Sequence, residues 1–409
     1  MSAGHAPAAP DRADLLIVNT CGFIDAAKEE SIDAILDAVD AATSRGAHVA
    51  AVGCLVQRYR DQLPRALSEV DLFCGFEVDP VCALLDGLGR ATAADGGRQA
   101  TRRPRPLHAY LKVSDGCDRR CAFCAVPLIK GAYETTSPGE VLAAAGAALE
   151  RGARELVLVG QDTSHWTWPG YGGLERLLSD LAGLGPLWLR VLYLQPDGVD
   201  DRLLQGLAQH AVPYVDIPLQ HASRTVLRAM GRGGDGDAYL ALLARVRSAL
   251  PGVAVRSTFI TGFPGETEAD FDELLAFVET AGIAVGGVFA FDPQEGTPAA
   301  ALLGRVPVTL AEERAARLAA ALERAARDFW DGLVGKEVDV LVERGSRGGG
   351  REAIGRIAFQ APDVDGVIAV ADARVRRGEV IRAVVDSAAG YDLQATAIGK
   401  AMTTASRPE

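Results

Sequence analysis

The alternation of apolar and polar positions divides the chain into three stretches with different periods. In the first, Leu15-Leu16-Ile17-Val18 is a continuous apolar run of strand length. Ile24 to Ala42 follows as an amphipathic helix, with Ile32, Ile35, Leu36 and Val39 at helical spacing. Val49 to Val52 predicts a second buried strand, and a further helix is expected from about Tyr59. Strands alternating with helices imply a parallel sheet with helices on its faces. The first eleven or so residues read as a leader without structure, and Ala91 to Pro106 has linker composition.

The second stretch repeats this alternation six times. Strands are expected at 109–114, 155–160, 187–194, 213–218, 253–261 and 284–291. Six β/α units make three quarters of a TIM-type barrel. Leu310 to Phe329 is then a long Ala-, Glu- and Arg-rich helix leading out of it. In the third stretch the period shortens. Segments 338–342, 356–358, 367–370 and 379–385 read as short strands with Gly- and Asp-rich turns, a small all-β barrel of the closing residues. The last dozen residues are polar and are expected to fray. The fold class is therefore α/β, with expected units 1–95 (parallel α/β), 96–330 (partial (β/α)6 barrel) and 331–396 (all-β barrel).

Length and composition agree. A chain of 409 residues, 48% apolar and 23% charged, is globular and large enough for two or three domains. No apolar run reaches the roughly 18 residues of a membrane span, and the start resembles no secretory signal. The seven cysteines, odd in number, then point to a cytoplasmic chain with metal or thiol chemistry rather than a disulfide scaffold. The net charge of −12 does not invite nucleic acid or anionic membrane.

The sharpest chemical signal is Cys117-Asp-Arg-Arg-Cys121-Ala-Phe-Cys124. A zinc site usually adds a fourth ligand to close a tetrahedron, and no fourth candidate lies nearby. Three thiolates instead suit a 4Fe-4S cluster with one iron open. They follow the first barrel strand, on the loop at its C-terminal end, where barrels of this type keep their chemistry. Cys21 and Cys54 sit at the tips of the first two strands, at one carboxyl edge of one sheet, and together suggest an auxiliary cluster. Cys74 and Cys82 are read as core residues. Gly160 and Gln161 after the second barrel strand, and Gly262, Pro264 and Gly265 after the fifth, are candidate cofactor contacts. His221 is a candidate polar group of the pocket. Gly231 to Gly236 fits GxGxxG literally, but it follows a helical stretch and reads as a loop between helices. Arg102, Arg103 and Arg105 read as a solvated linker.

The spacing and place of the cysteine triplet resemble the radical S-adenosylmethionine (SAM) superfamily. NTCGFIDAAKEESIDAI, GCLVQRY, SDGCDRRCAFCAVP, GQDTS, DIPLQHAS, GFPGETEADF and APDVDG extend the resemblance, from about Ala13 to Leu393, to the methylthiotransferases. The closing β-barrel resembles a TRAM module. The resemblance implies SAM and two 4Fe-4S clusters as cofactors. It also implies an electron donor such as flavodoxin or ferredoxin, and a monomer that inserts sulfur into a C–H bond and caps it with methyl. The implied substrate is an aspartate β-carbon of ribosomal protein S twelve. The family also carries a cysteine in a Gly-Cys-x-x-Asn motif well before the position of Cys21. Here 20 residues precede Cys21 and none is cysteine. The first β/α unit and the third auxiliary ligand are thus expected to be missing, from a mis-assigned or shortened start. If the chain is complete as given, it is expected to cleave SAM without inserting sulfur; if its start is shortened, the expected activity is methylthiolation of that aspartate.

The competing substrate is a tRNA adenosine, as in methylthiotransferases of the MiaB type. From Asp331 to Leu393 there are nine basic and eleven acidic residues. That balance disfavours a phosphate backbone and suits a basic protein. A relic that only binds a cluster or RNA is a third reading, opposed by the intact triplet.

Overall fold

The computed structural model describes residues 5, 8–88, 105–345, 352–371 and 375–400. The expected linker lies outside these apart from its last two residues, as do Arg102 and Arg103. Leu15–Thr20, His48–Gly53 and Leu72–Cys74 form a parallel three-stranded sheet in sequence order, with Thr20 opposite Gly53 and Val52 opposite Cys74. The helix Asp25–Thr43 covers one face, burying Ile35 and Ala42 against Val49, Ala51 and Leu55. The helix expected from Tyr59 starts earlier. Gly53, at φ 110°, turns the strand directly into a helix over Cys54–Arg58, and Pro64 opens a separate turn over Leu63–Ala66.

All six barrel strands form: His108–Lys112, Glu155–Val159, Trp188–Val191, Tyr214–Asp216, Ala254–Thr261 and Val285–Ala290. The first three make one parallel sheet and the last three another. Two loop bonds join them, Val212 N–H to Leu189 O and Leu194 N–H to Asp216 O, both 2.8 Å. Outward side chains such as Leu156, Leu158, Val255 and Phe259 are fully buried beneath the surrounding helices. Several helices start on designed caps: Ser137 with Glu140 before Pro138–Glu150, and Thr267 with Asp270 before Glu268–Ala281. The long helix Val308–Asp331 packs on the sixth strand, where a Cβ on Gly286 would lie 2.7 Å from Leu322.

The C-terminal unit is a closed five-stranded barrel, in the order Glu337–Arg344, Ala353–Arg356, Ile368–Ala371, Asp392–Lys400, Val380–Ala389. Its fifth strand, Asp392–Lys400, runs into the tail that the sequence reads as frayed. The second strand ends at Arg356, because Ile357 N–H turns to the Gln360 side chain. This barrel closes the N-terminal end of the α/β barrel. Glu155, with no exposed surface, pairs there with Arg190 and Arg356, each at 2.7 Å. Asp363 and Asp365 of the APDVDG loop bond the hydroxyls of Tyr110 and Tyr214. Among the described residues no helix is long and apolar enough to cross a membrane.

Candidate functional site

The cysteine triplet lies on the loop after the first barrel strand, and backbone bonds clamp that loop. Cys117 N–H donates to Gly131 O, Ala122 N–H to Met230 O, and Ala299 N–H to Ala122 O. Gly116 has φ 68°, and a Cβ there would fall 1.9 Å from Ala132 O, so the close approach requires glycine. Cys117, Cys121 and Cys124 are free thiols, each partly buried. Burial pushes the Cys124 thiol up to about 11, with the nearby Cys121 and Cys117 adding to the rise. Burial also raises Cys117, with Asp162 and Cys121 adding to the rise.

Two of these crowded thiols, Cys117 and Cys124, resist ionisation, which makes the set unfavourable alone. A bound cationic centre reverses this, because a coordinating thiol loses its proton. Among the described residues no three His, Cys, Asp or Glu side chains converge as around a single ion. A 4Fe-4S cubane takes one thiolate per corner and so spaces its ligands more widely. The donor set therefore fits the cluster better than zinc.

The second barrel strand delivers Gly160 and Gln161 to the same end of the barrel. A Cβ on Gly160 would meet Ser114 Oγ at 2.3 Å, so this glycine permits close packing onto the loop ahead of the triplet. Gln161 Oε1 and Gln195 Oε1 are buried and have no partner among the described residues. Such orphaned acceptors at the mouth of a barrel fit a polar ligand. The third candidate group has a structural explanation. Gly262 (φ 73°) and Phe263 donate their N–H groups to Glu266 Oε2, and a Cβ on Gly262 would lie 2.2 Å from that of Ala311. Gly265, at φ 86°, donates to Gly304 O. Glu266 is fixed in turn by Arg314 at 2.8 Å. Together with Pro264, these glycines shape a rigid loop against the long helix. His221 is fully buried, accepts from Ser223 N–H and stands 3.5 Å from Glu266.

Cys21 and Cys54 meet at the carboxyl edge of the N-terminal sheet, close enough that a Cys21 thiolate disfavours ionisation of Cys54. Burial raises Cys54, and Lys130 opposes that rise. Lys130 belongs to the helix Val126–Lys130 that follows the triplet. It pairs with Asp115 at 2.7 Å and lies 4.4 Å above the Phe76 ring. Arg58 bonds Gly22 O, Gln294 Oε1 and Glu295 O, tying the same sheet edge to the loop after the sixth barrel strand. The helix Cys54–Arg58 thus packs against the helix Val126–Lys130 that follows the triplet, and Arg58 joins the same edge to the barrel. Cys74 is buried, as the sequence reading has it, and it also ends a strand at this edge, with Glu77 and Arg60 as its charged neighbours. Cys82 is exposed on the helix Asp79–Gly87 and is not core.

Several contacts escaped the sequence. Arg119, inside the triplet motif, pairs with Asp162 at 2.6 Å and Asp197 at 2.8 Å. Arg232, in the loop between the helices Arg224–Ala229 and Gly236–Ala249, points at Cys121 Sγ from 3.6 Å. The GxGxxG stretch is the expected inter-helix loop, but it braces the triplet. A Cβ on Gly231 would come within 2.6 Å of Arg120 O.

Comparison with known proteins adds three family matches. Residues 111–278 match the Radical SAM superfamily, 334–398 the TRAM domain, and 2–75 the uncharacterized protein family UPF0004. The ribosomal protein uS12 methylthiotransferase RimO of Solibacter usitatus is 40% identical over 411 residues, covering 95% of this chain and 87% of that one. That of Desulforudis audaxviator is 40% identical, covering 96% and 91%. Among solved structures, the radical SAM methyltransferase TsrM from Kitasatospora setae, with cobalamin and a 4Fe-4S cluster bound, superposes with TM-score 0.52. It is 15% identical and covers 70% of this chain and 66% of its own, a likeness of fold.

Proposed function

The chain belongs to the RimO family of ribosomal protein uS12 methylthiotransferases, and from that membership we propose that it methylthiolates the β-carbon of one aspartate in that ribosomal protein. It is a radical SAM enzyme that uses SAM and a 4Fe-4S cluster. When bound, that pair supplies a 5′-deoxyadenosyl radical able to take hydrogen from an unactivated carbon, and a second cluster supplies sulfur. Cys117, Cys121 and Cys124 hold the first cluster, and Cys21 and Cys54 contribute to the second. Gly160 leaves the backbone room beside the triplet loop, and Gln161 offers its buried acceptor to SAM. Gly262, Pro264 and Gly265 keep the facing loop rigid so that the mouth of the barrel stays open.

The observation that carries this reading is the juxtaposition of the two cysteine sets. Cys54 lies within the field of Lys130 and Asp115, which flank the triplet. That proximity supports a reading in which a carbon activated at the barrel mouth takes its sulfur from the neighbouring sheet edge. One chain carries both sets, so a monomer suffices, working in the cytoplasm where its substrate is made. An electron-carrier protein provides the reducing equivalent.

A uS12 peptide deuterated at the aspartate β-carbon tests the assignment with reconstituted enzyme. Deuterium should appear in 5′-deoxyadenosine. Unlabelled 5′-deoxyadenosine, with methylthiolation of a tRNA adenosine instead, would move the enzyme to the tRNA branch.

A further inference from the structure

Beside the triplet lies a concavity of about 630 Å³ that none of the roles above uses. Cys121 forms part of its wall. The rest comes from the loop Gly231–Gly234, the helix Gly236–Ala249, and Pro196 and Asp197. Four arginines line it, Arg119, Arg120, Arg232 and Arg245, against one carboxylate, Asp197, which Arg119 already holds at 2.8 Å. Arg120 is exposed and among the described residues makes no ion pair. Arg245 is 49% exposed and reaches Asp201 at 2.6 Å. In a chain of net charge −12 this is a concentrated positive field at one place, directly over a cysteine of the triplet.

We propose that this groove docks a small acidic one-electron carrier protein, with Arg120, Arg232 and Arg245 as its electrostatic contacts. The inference rests on the radical SAM reading above and assigns the partner's seat. A positive concavity attracts an acidic surface, steers encounter and fixes its orientation. Arg232 connects the groove to the triplet, because its guanidinium touches Cys121 Sγ on one side and Pro218 O on the other. A carrier seated on Arg232 therefore stands one side chain from a cluster ligand. The carrier is oxidised by one electron as the site is reduced by one, and no atom is transferred.

The test measures equilibrium binding of an acidic flavodoxin to the reconstituted full chain, for the wild type and for Arg120→Glu with Arg245→Glu. Both line the concavity, and neither has a role in holding SAM or a cluster. The double variant should bind about tenfold more weakly or worse, and wild-type affinity should fall steeply with salt. Dithionite, which needs no docking site, should drive 5′-deoxyadenosine formation equally well in both. Unchanged flavodoxin affinity in the double variant would overturn the docking role. Failure of dithionite to drive the wild type would instead overturn the radical SAM reading, and the docking role with it.

Discussion

Glu155 of the α/β barrel and Arg356 of the closing β-barrel form an ion pair 2.7 Å long with essentially no solvent-exposed surface on either side chain. Arg190 completes a triad and donates to Ala358 O and Gln360 O, so three buried charges join the two units. Removing one partner leaves the others buried and uncompensated, which costs about 3–5 kcal/mol. Glu155→Gln should lower the urea midpoint by an amount equivalent to that figure. A change within about 0.5 kcal/mol would mean that water reaches the triad.

The same triad fixes a pH dependence. Burial alone would raise the Glu155 carboxyl, but Arg190 and Arg356 outweigh it and hold the group below its ordinary value of 4.5. A depressed carboxyl stabilises the fold above its ordinary value, and that stability is lost as pH falls through the folded value. Wild-type stability should therefore drop below about pH 4.5 more steeply than that of Glu155→Gln. Parallel acid limbs in the two proteins would contradict this.

Asp216 works in the opposite sense. It is buried at the seam between the two barrel sheets, accepting from Tyr193 N–H with Arg256 3.9 Å away. Burial pushes its carboxyl up to about 6, Arg256 opposing. Its ionisation thus destabilises the fold above its ordinary value of 3.8, and the effect is complete once pH exceeds about 6. The rise corresponds to about 3 kcal/mol. Asp216→Asn should gain up to that much at pH 7 and nothing at pH 3, as read by denaturant unfolding. A loss of stability at pH 7 would show that the charge is needed by Arg256.

The cysteines should separate by role. Cys117→Ala, Cys121→Ala or Cys124→Ala should abolish 5′-deoxyadenosine formation. Cys21→Ser and Cys54→Ser should keep it and lose methylthiolation. Iron analysis should find about four fewer irons in any triplet variant. Loss of 5′-deoxyadenosine formation in the Cys54 variant would deny the second site a separate role.

Much of this was legible in the sequence, for physical reasons. A parallel strand covered on one face by helices and on the other by the barrel interior reads as an apolar run, so Glu155–Val159 is legible to within a residue of its end. The triplet was legible because its spacing is local. The fifth strand of the closing barrel was not, because its inward side chains include Ala395 and Ala397, too small to signal burial against polar alternates. Arg232 was missed because its contact with Cys121 spans 111 positions, and no local pattern encodes a tertiary approach. Cys82 was misjudged because cysteine's usual burial is only a prior, here overridden by a helix with no buried residue.

The central claim, that this chain methylthiolates ribosomal protein uS12, is tested most directly in a strain lacking its own enzyme and supplied with this gene. Mass spectrometry of the uS12 peptide bearing the target aspartate should show the gain of one methylthio group, lost in the Cys121→Ala variant. An unmodified peptide beside methylthiolated tRNA adenosine would contradict the account.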